Sequence, residues 1–254
     1  MTKPKITTAT IRAMKGSGEK IAALTAYDYP MAKILDESGV PFLLVGDSLG
    51  MVVLGYPDTT QVTMPEMVHH LRAAARAKPH ALLGCDLPFN SYGTVASAVN
   101  NAKVLADAGA EFVKAEGGRE IFSQIEAIIA AGIPFCGHLG MLPQHVLEEG
   151  GYRLKGKEEA EHQRLLVDAQ LLAAAGAFAL VLELVIPPVA KEITQSIAVP
   201  TIGIGSGPDC DGQILVTQDL TGSFPWFKPR FVQPMANCAM DIKSAVTSWK
   251  KSLG

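Results

Sequence analysis

Asp47, Asp86, Lys114, Glu116, His138 and Glu183 stand where short apolar runs of the chain give way to polar sequence. Carboxylates, an ammonium and an imidazole are the groups that hold ions, bind anions and move protons. One such residue could simply mark where a strand ends. Five successive runs ending in ionisable residues point to a shared site. Asp47, Asp86 and Glu116 in one space would repel one another. A divalent cation held by oxygen relieves that repulsion, and an all-oxygen donor set suits magnesium rather than zinc. The bland reading of Asp47 and Asp86 is that they cap the turns after their strands. Lys114 and Glu116 lie two apart and so share one face of a strand. A lysine placed there needs an anionic partner, either a carboxylate of the protein or an anionic substrate. His138 could bond a substrate, hold a carboxylate in place, or be a satisfied structural histidine. Glu183 ends a very apolar run, where desolvation raises proton affinity and suits a general base. The competing reading is a salt bridge to a neighbour such as Lys114.

These residues need elements that bring them together. Eight apolar, β-branched-rich stretches read as strands: 21–25, 42–46, 81–85, 111–115, 133–137, 179–182, 201–204 and 213–217. Their near-continuous hydrophobicity is that of strands covered on both faces, as in parallel sheets. Helical stretches lie between them at 30–38, 63–77, 94–108, 120–131, 158–175 and 188–197, with a C-terminal helix over 236–250. Thr63-Met64-Pro65-Glu66 reads as a capping box, and Gly109, Gly132 and Gly176 stand where helices end. Alternation of this kind predicts an α/β fold, a (β/α)8 TIM barrel in a single domain over 1–254, with a short N-terminal extension and a C-terminal helix. The C-terminal strand ends of such a barrel converge on one mouth. The span 205–212 is too short for a full helix, and an open doubly wound sheet is the other fold obeying the same local pattern. Gly203-Ile204-Gly205-Ser206-Gly207 resembles half a dinucleotide fingerprint but opens no helix; glycines there suit a tight turn near the mouth. The loop 139–157 has the length of a lid.

Composition narrows the classes. The chain has 254 residues, 48% of them hydrophobic and only 19% charged, enough for a large core without disulfides or a structural metal. Lys+Arg 22 against Asp+Glu 25 leaves no basic surplus for a phosphate backbone, which argues against a nucleic-acid partner. Cys85, Cys136, Cys210 and Cys238 fit no zinc or redox spacing and read as reduced thiols of a cytoplasmic protein. Residues 1–20 are polar and lack the apolar core of a secretory signal. The longest apolar run, 171–182, falls short of the roughly 18 residues a membrane span needs, so no membrane partner is expected.

Taken together, several stretches resemble the ketopantoate hydroxymethyltransferase (3-methyl-2-oxobutanoate hydroxymethyltransferase) family. They are Leu24-Thr25-Ala26-Tyr27-Asp28-Tyr29-Pro30, Val45-Gly46-Asp47-Ser48-Leu49-Gly50, Asp86-Leu87-Pro88-Phe89, Val113-Lys114-Ala115-Glu116-Gly117-Gly118, Gly137-His138-Leu139-Gly140, Gly176-Ala177-Phe178 leading to Glu183, and Asp211-Gly212-Gln213-Ile214-Leu215-Val216. The likeness covers nearly the whole chain in the family's order. Two departures are visible, an extra isoleucine in Leu184-Val185-Ile186-Pro187 and the loop segment Arg153-Leu154-Lys155-Gly156. The resemblance implies a (β/α)8 barrel, a homodecamer and transfer of a one-carbon unit from 5,10-methylenetetrahydrofolate to a 2-oxo acid. It implies that Asp47, Asp86 and Glu116 serve Mg2+, Glu116 directly or through water. Asp47, Ser48, Asp86 and Lys114 would contact the oxo acid, His138 joins them as a candidate, and Glu183 would accept the proton. Two other classes remain open. A magnesium-dependent lyase or mutase of the isocitrate lyase and phosphoenolpyruvate mutase type shares the barrel and the acids, but needs a cysteine that the 139–157 loop lacks. A non-catalytic barrel would not need every ionisable strand end.

Overall fold

In the computed structural model, which describes residues 4–254, the chain runs in order through α1 (Thr8–Ala13), β1 (Ile21–Thr25), α2 (Tyr29–Glu37), β2 (Phe42–Val45), α3 (Leu49–Val52) and α4 (Met64–Ala75). It continues through β3 (Leu82–Asp86), α5 (Val95–Ala108), β4 (Phe112–Glu116), α6 (Phe122–Ala130), β5 (Phe135–Gly140) and α7 (Glu159–Ala175). Last come β6 (Ala179–Glu183), α8 (Pro187–Ser196), β7 (Thr201–Ile204), β8 (Gly212–Leu215), α9 (Thr217–Thr221) and α10 (Cys238–Ser252). The eight strands are parallel and close into a barrel in chain order. Closure excludes the open doubly wound sheet. No helix joins β7 to β8, in keeping with the shortness of that span. Two compact units are distinguished, one up to Ile214 and one over Leu215–Gly254. The second holds α9 and α10.

Local chemistry explains most boundaries. Asp28 caps α2 by accepting from the Met31 N–H at 2.8 Å, and Thr94 caps α5 by accepting from Ser97 at 3.1 Å. Helices α5 and α7 end at Gly109 and Gly176 with φ of +117° and +106°. Strands β3 to β6 run one to three residues further than the sequence predicts, because Asp86, Glu116, His138 and Glu183 belong to the ladder rather than to the turns after it. Polar residues are poor strand formers by pattern; cross-strand pairing holds these in place. The short helices α1, α3 and α9 have too few residues to show a period and were not expected.

The barrel interior has an apolar floor. Phe42, Phe112 and Phe178 meet there, with ring centroids 4.8 Å apart for Phe42–Phe112 and 5.1 Å for Phe112–Phe178. Gly84 makes room for them: a Cβ at that position would lie 2.1 Å from the Phe112 ring. Helix α1 belongs to the same cluster through Ile11, which is fully buried. A second, larger cluster packs the outward faces of the strands on α2 and α4 to α8. All four cysteines are free. Among the described residues, no helix is long and apolar enough to cross a membrane.

Candidate active site

The two-residue period of a strand sorts the interior by height. Leu82, Gly84 and Asp86 follow one another up β3; Phe112, Lys114 and Glu116 up β4; Cys136 and His138 up β5; Ala179, Val181 and Glu183 up β6. Each column passes from apolar to ionisable toward the C-terminal end of its strand. The ladder sets Asp86 opposite Lys114, Glu116 opposite His138, and Gly140 opposite Glu183. Asp47 joins from the turn after β2, where its N–H donates to Asp86 Oδ2 at 3.2 Å. Asp47, Asp86, Lys114, Glu116 and His138 are all buried.

Lys114 Nζ lies 3.1 Å from Asp86 Oδ1 and 3.1 Å from His138 Nδ1. An ammonium only donates, so His138 Nδ1 accepts, and the ring proton sits on Nε2. That Nε2 faces Glu183 Oε2 at 3.4 Å, without the alignment of a hydrogen bond. Burial, and then the Lys114 charge, push His138 well below the ordinary imidazole value, so the ring is neutral. Lys114 therefore pairs with Asp86, and Glu183 faces His138 instead. Burial pushes the Glu183 carboxyl up to about 8, with the Asp47 and Asp86 charges adding to it and Lys114 opposing. Burial likewise raises Asp47, Asp86 and Glu116, and their mutual repulsion adds to the rise at Asp47 and Glu116. Burial alone would lower Lys114, but Asp86, Glu116 and Asp47 outweigh it and hold the ammonium charged. Ser48 is half-buried, its Oγ 2.8 Å from the Tyr27 hydroxyl.

Two residues of this network are not visible as site residues in the sequence. Gln144 stands in a 3-10 turn, Pro143–His145, of the loop after β5. Its side-chain amide donates to Asp47 Oδ2 at 2.7 Å and to the Leu87 carbonyl at 2.9 Å, and its backbone N–H donates to Glu116 Oε2 at 2.9 Å. Its Oε1 accepts from the Tyr92 hydroxyl at 2.5 Å. Thus one buried amide from the loop ties together acids from two different strand ends. The available signal was a lone amide among apolar neighbours, Met141-Leu142-Pro143-Gln144. Tyr92 carried no signal.

Three buried carboxylates with a single ammonium for balance form an all-oxygen donor set of the kind a hard dication takes. Asp86 Oδ1 is ion-paired with Lys114 Nζ at 3.1 Å. Among the described residues, however, no group of three His, Cys, Asp or Glu side chains is arranged as a ready ion cage. The N–H groups of Gln144 and Lys114 face Asp47 Oδ2, Glu116 Oε2 and Asp86 Oδ1. The donors suit the ion in chemistry, while their oxygens are engaged by the protein itself.

A family profile described as ketopantoate hydroxymethyltransferase matches residues 5–254. The chain belongs to the ketopantoate hydroxymethyltransferase family. It is 52% identical over 247 residues to a protein of Syntrophus aciditrophicus named 3-methyl-2-oxobutanoate hydroxymethyltransferase, covering 96% of this chain and 91% of that protein. A protein of the same name from Ignicoccus hospitalis is 52% identical over 250 residues, covering 98% and 95%. Among solved structures, the family's barrel is similar to a phosphonopyruvate hydrolase, with TM-score 0.64 and 17% identity over 84% of this chain and 80% of that one. It is also similar to 2,3-dimethylmalate lyase, a member of the PEP mutase/isocitrate lyase superfamily, with TM-score 0.63 and 15% identity over 98% and 88%. At such identities the likeness shows a common fold alone.

Proposed function

We propose that this ketopantoate hydroxymethyltransferase family member transfers a hydroxymethyl group from 5,10-methylenetetrahydrofolate to 3-methyl-2-oxobutanoate, giving 2-dehydropantoate for pantothenate biosynthesis. The observation that carries the mechanism is Glu183: a partly buried carboxylate of high proton affinity at the top of an apolar strand, facing the cluster of acids. Asp47, Asp86 and Glu116 would hold Mg2+. When bound, that ion supplies Lewis-acid polarisation of the keto group, which makes the hydrogen on C3 acidic.

Glu183 takes the C3 proton. The electron pair left on C3 forms the new bond to the methylene carbon of the donor. That carbon starts out bonded to two folate nitrogens: one bond breaks as the C3 electron pair attacks, the other as water supplies the hydroxyl oxygen, and the C3 proton and one water proton end on the two nitrogens. His138, neutral and held by Lys114, keeps its Nε2–H toward Glu183, 3.4 Å from the nearer accepting oxygen. Lys114 and Ser48 provide a positive charge and a hydroxyl for the oxo-acid carboxylate. The loop after β5 lies over the acids through Gln144 and reduces their access to water. By the same family likeness the working form is a cytoplasmic homodecamer, each chain a single barrel domain.

The test is exchange of the C3 hydrogen. The protein, magnesium and 3-methyl-2-oxobutanoate are incubated in heavy water without folate, and the C3 proton signal is followed by NMR. Metal-dependent loss of the signal, abolished in Glu183→Ala and in Asp86→Ala, supports the transferase. Exchange that ignores both substitutions rejects the site. Intact metal binding with no exchange favours the lyase or mutase reading, or a non-catalytic binder.

A further inference from the structure

The glycine-rich stretch after β7 has no part in the chemistry above, yet it reaches the segment carrying Glu183. Residues 183–185 form a short arch. Leu184 has φ of +48°, the left-handed region that a side chain disfavours. The arch is held on all sides by hydrogen bonds. Met141 N–H donates to the Glu183 carbonyl at 2.8 Å, Leu184 N–H to Ile204 O at 2.9 Å, and Lys155 N–H to Leu184 O at 2.8 Å. Those three are backbone contacts. The side chain that completes the set is Ser206, which is fully buried. Its Oγ accepts from the Val185 N–H at 3.0 Å and donates to the Leu182 carbonyl at 2.7 Å. One hydroxyl thus bonds the chain on both sides of Glu183. Gly205 and Gly207, with φ of +65° and +83°, bend the backbone around Ser206. A Cβ at position 207 would lie 2.8 Å from Pro187, so the turn also needs glycine for space.

We propose that Ser206 is a positioning residue for Glu183: its hydroxyl clamps the strained arch and so sets where the accepting carboxylate sits. This rests on Glu183 being the proton acceptor. Strain at a functional segment persists only where surrounding contacts over-determine it, and this arch meets that condition. The hydroxyl is the one contact of the set that a point substitution can remove without altering the backbone. The stretch therefore serves the proton acceptor rather than a dinucleotide.

The experiment compares C3 hydrogen exchange and thermal unfolding across variants. Exchange in the wild type, lost in Glu183→Gln, establishes the acceptor first; exchange surviving in Glu183→Gln removes the acceptor and overturns the clamp with it. Ser206→Ala is then expected to lower the exchange kcat about tenfold, with KM for the oxo acid within about twofold, because displacing a reacting group by a fraction of an ångström acts on the step and not on binding. Adding Leu184→Gly to Ser206→Ala is expected to restore most of the rate, since glycine adopts the arch conformation without strain. Thr194→Ala, which removes another buried hydroxyl, one paired with Thr201, is expected to lower the melting temperature and leave kcat unchanged. Should Ser206→Ala be too unstable to assay, Leu184→Val disfavours the same arch from the other side and is expected to lower kcat alone. An unchanged kcat in Ser206→Ala or in Leu184→Val, or a fall carried wholly by KM, overturns the proposal.

Discussion

Glu183 combines two properties that rarely coincide, an apolar setting and a view of several other charges. Its folded value of about 8 lies above the ordinary 4.5. The folded state therefore holds the proton more tightly than the unfolded chain, and this contribution to stability is full below about 4.5 and lost as pH rises through about 8. Glu183→Gln removes the loss, so the variant should melt higher than the wild type at pH 9, with the gap closing near pH 4.5; a calorimetric pH series measures it. The proton-transfer rate should run the other way, rising with pH as Glu183 ionises, with a midpoint below 8 when magnesium is present because a nearby positive charge favours the carboxylate. Gln144 makes the second prediction at this scale. Gln144→Ala removes the partner of Asp47 Oδ2 and leaves the Tyr92 hydroxyl the longer bond to the Glu116 carbonyl at 3.3 Å, which should cost about 2 kcal/mol in chemical denaturation. Gln144 itself stayed hidden in the sequence because a buried amide in a loop is defined by its partners, and these come from residues 47, 87, 92 and 116.

The strands deliver these groups by a simple device: one interior column per strand, apolar below and ionisable above. The floor must therefore pack before the top can be aligned. Gly84 is the tightest point, with the Phe112 ring occupying the space a side chain would need. Gly84→Ala should destabilise the protein by about 2–3 kcal/mol through overpacking, read from the urea midpoint, and lower the exchange rate by tilting Asp86 two residues above. Existence and order of the strands were legible in the sequence because both-face burial leaves unbroken apolar runs. Their upper ends were not: Asp86, Glu116, His138 and Glu183 look like turn residues, and only pairing across the ladder makes them strand.

For the molecule as a whole, the acids set a tension between fold and function. Several buried carboxylates at the barrel mouth destabilise the fold, and a cation that binds the native state relieves them. Magnesium should then raise the melting temperature at pH 8 by a few degrees at concentrations about 100 times its dissociation constant, and Asp86→Asn should remove most of that rise; scanning calorimetry with and without chelator decides it. The barrel's other end depends on α1, whose Ile11 joins the phenylalanine floor. Ile11→Ala should cost about 2–4 kcal/mol in denaturant titration while leaving KM for the oxo acid unchanged.

By itself the amino-acid order determined the barrel, the family and the six ionisable residues, because apolar periodicity and polar strand ends are local signals carried by neighbouring positions. The tertiary structure alone decided who pairs with whom. Lys114 could have paired with Glu183, and it pairs with Asp86 and meets His138; the oxygens of Asp47 and Glu116 could have pointed freely, and Gln144 takes one of each. Those choices depend on register between strands dozens of residues apart. Electrostatic partners in a buried site are selected by distances of a few ångströms that no spacing along the chain encodes.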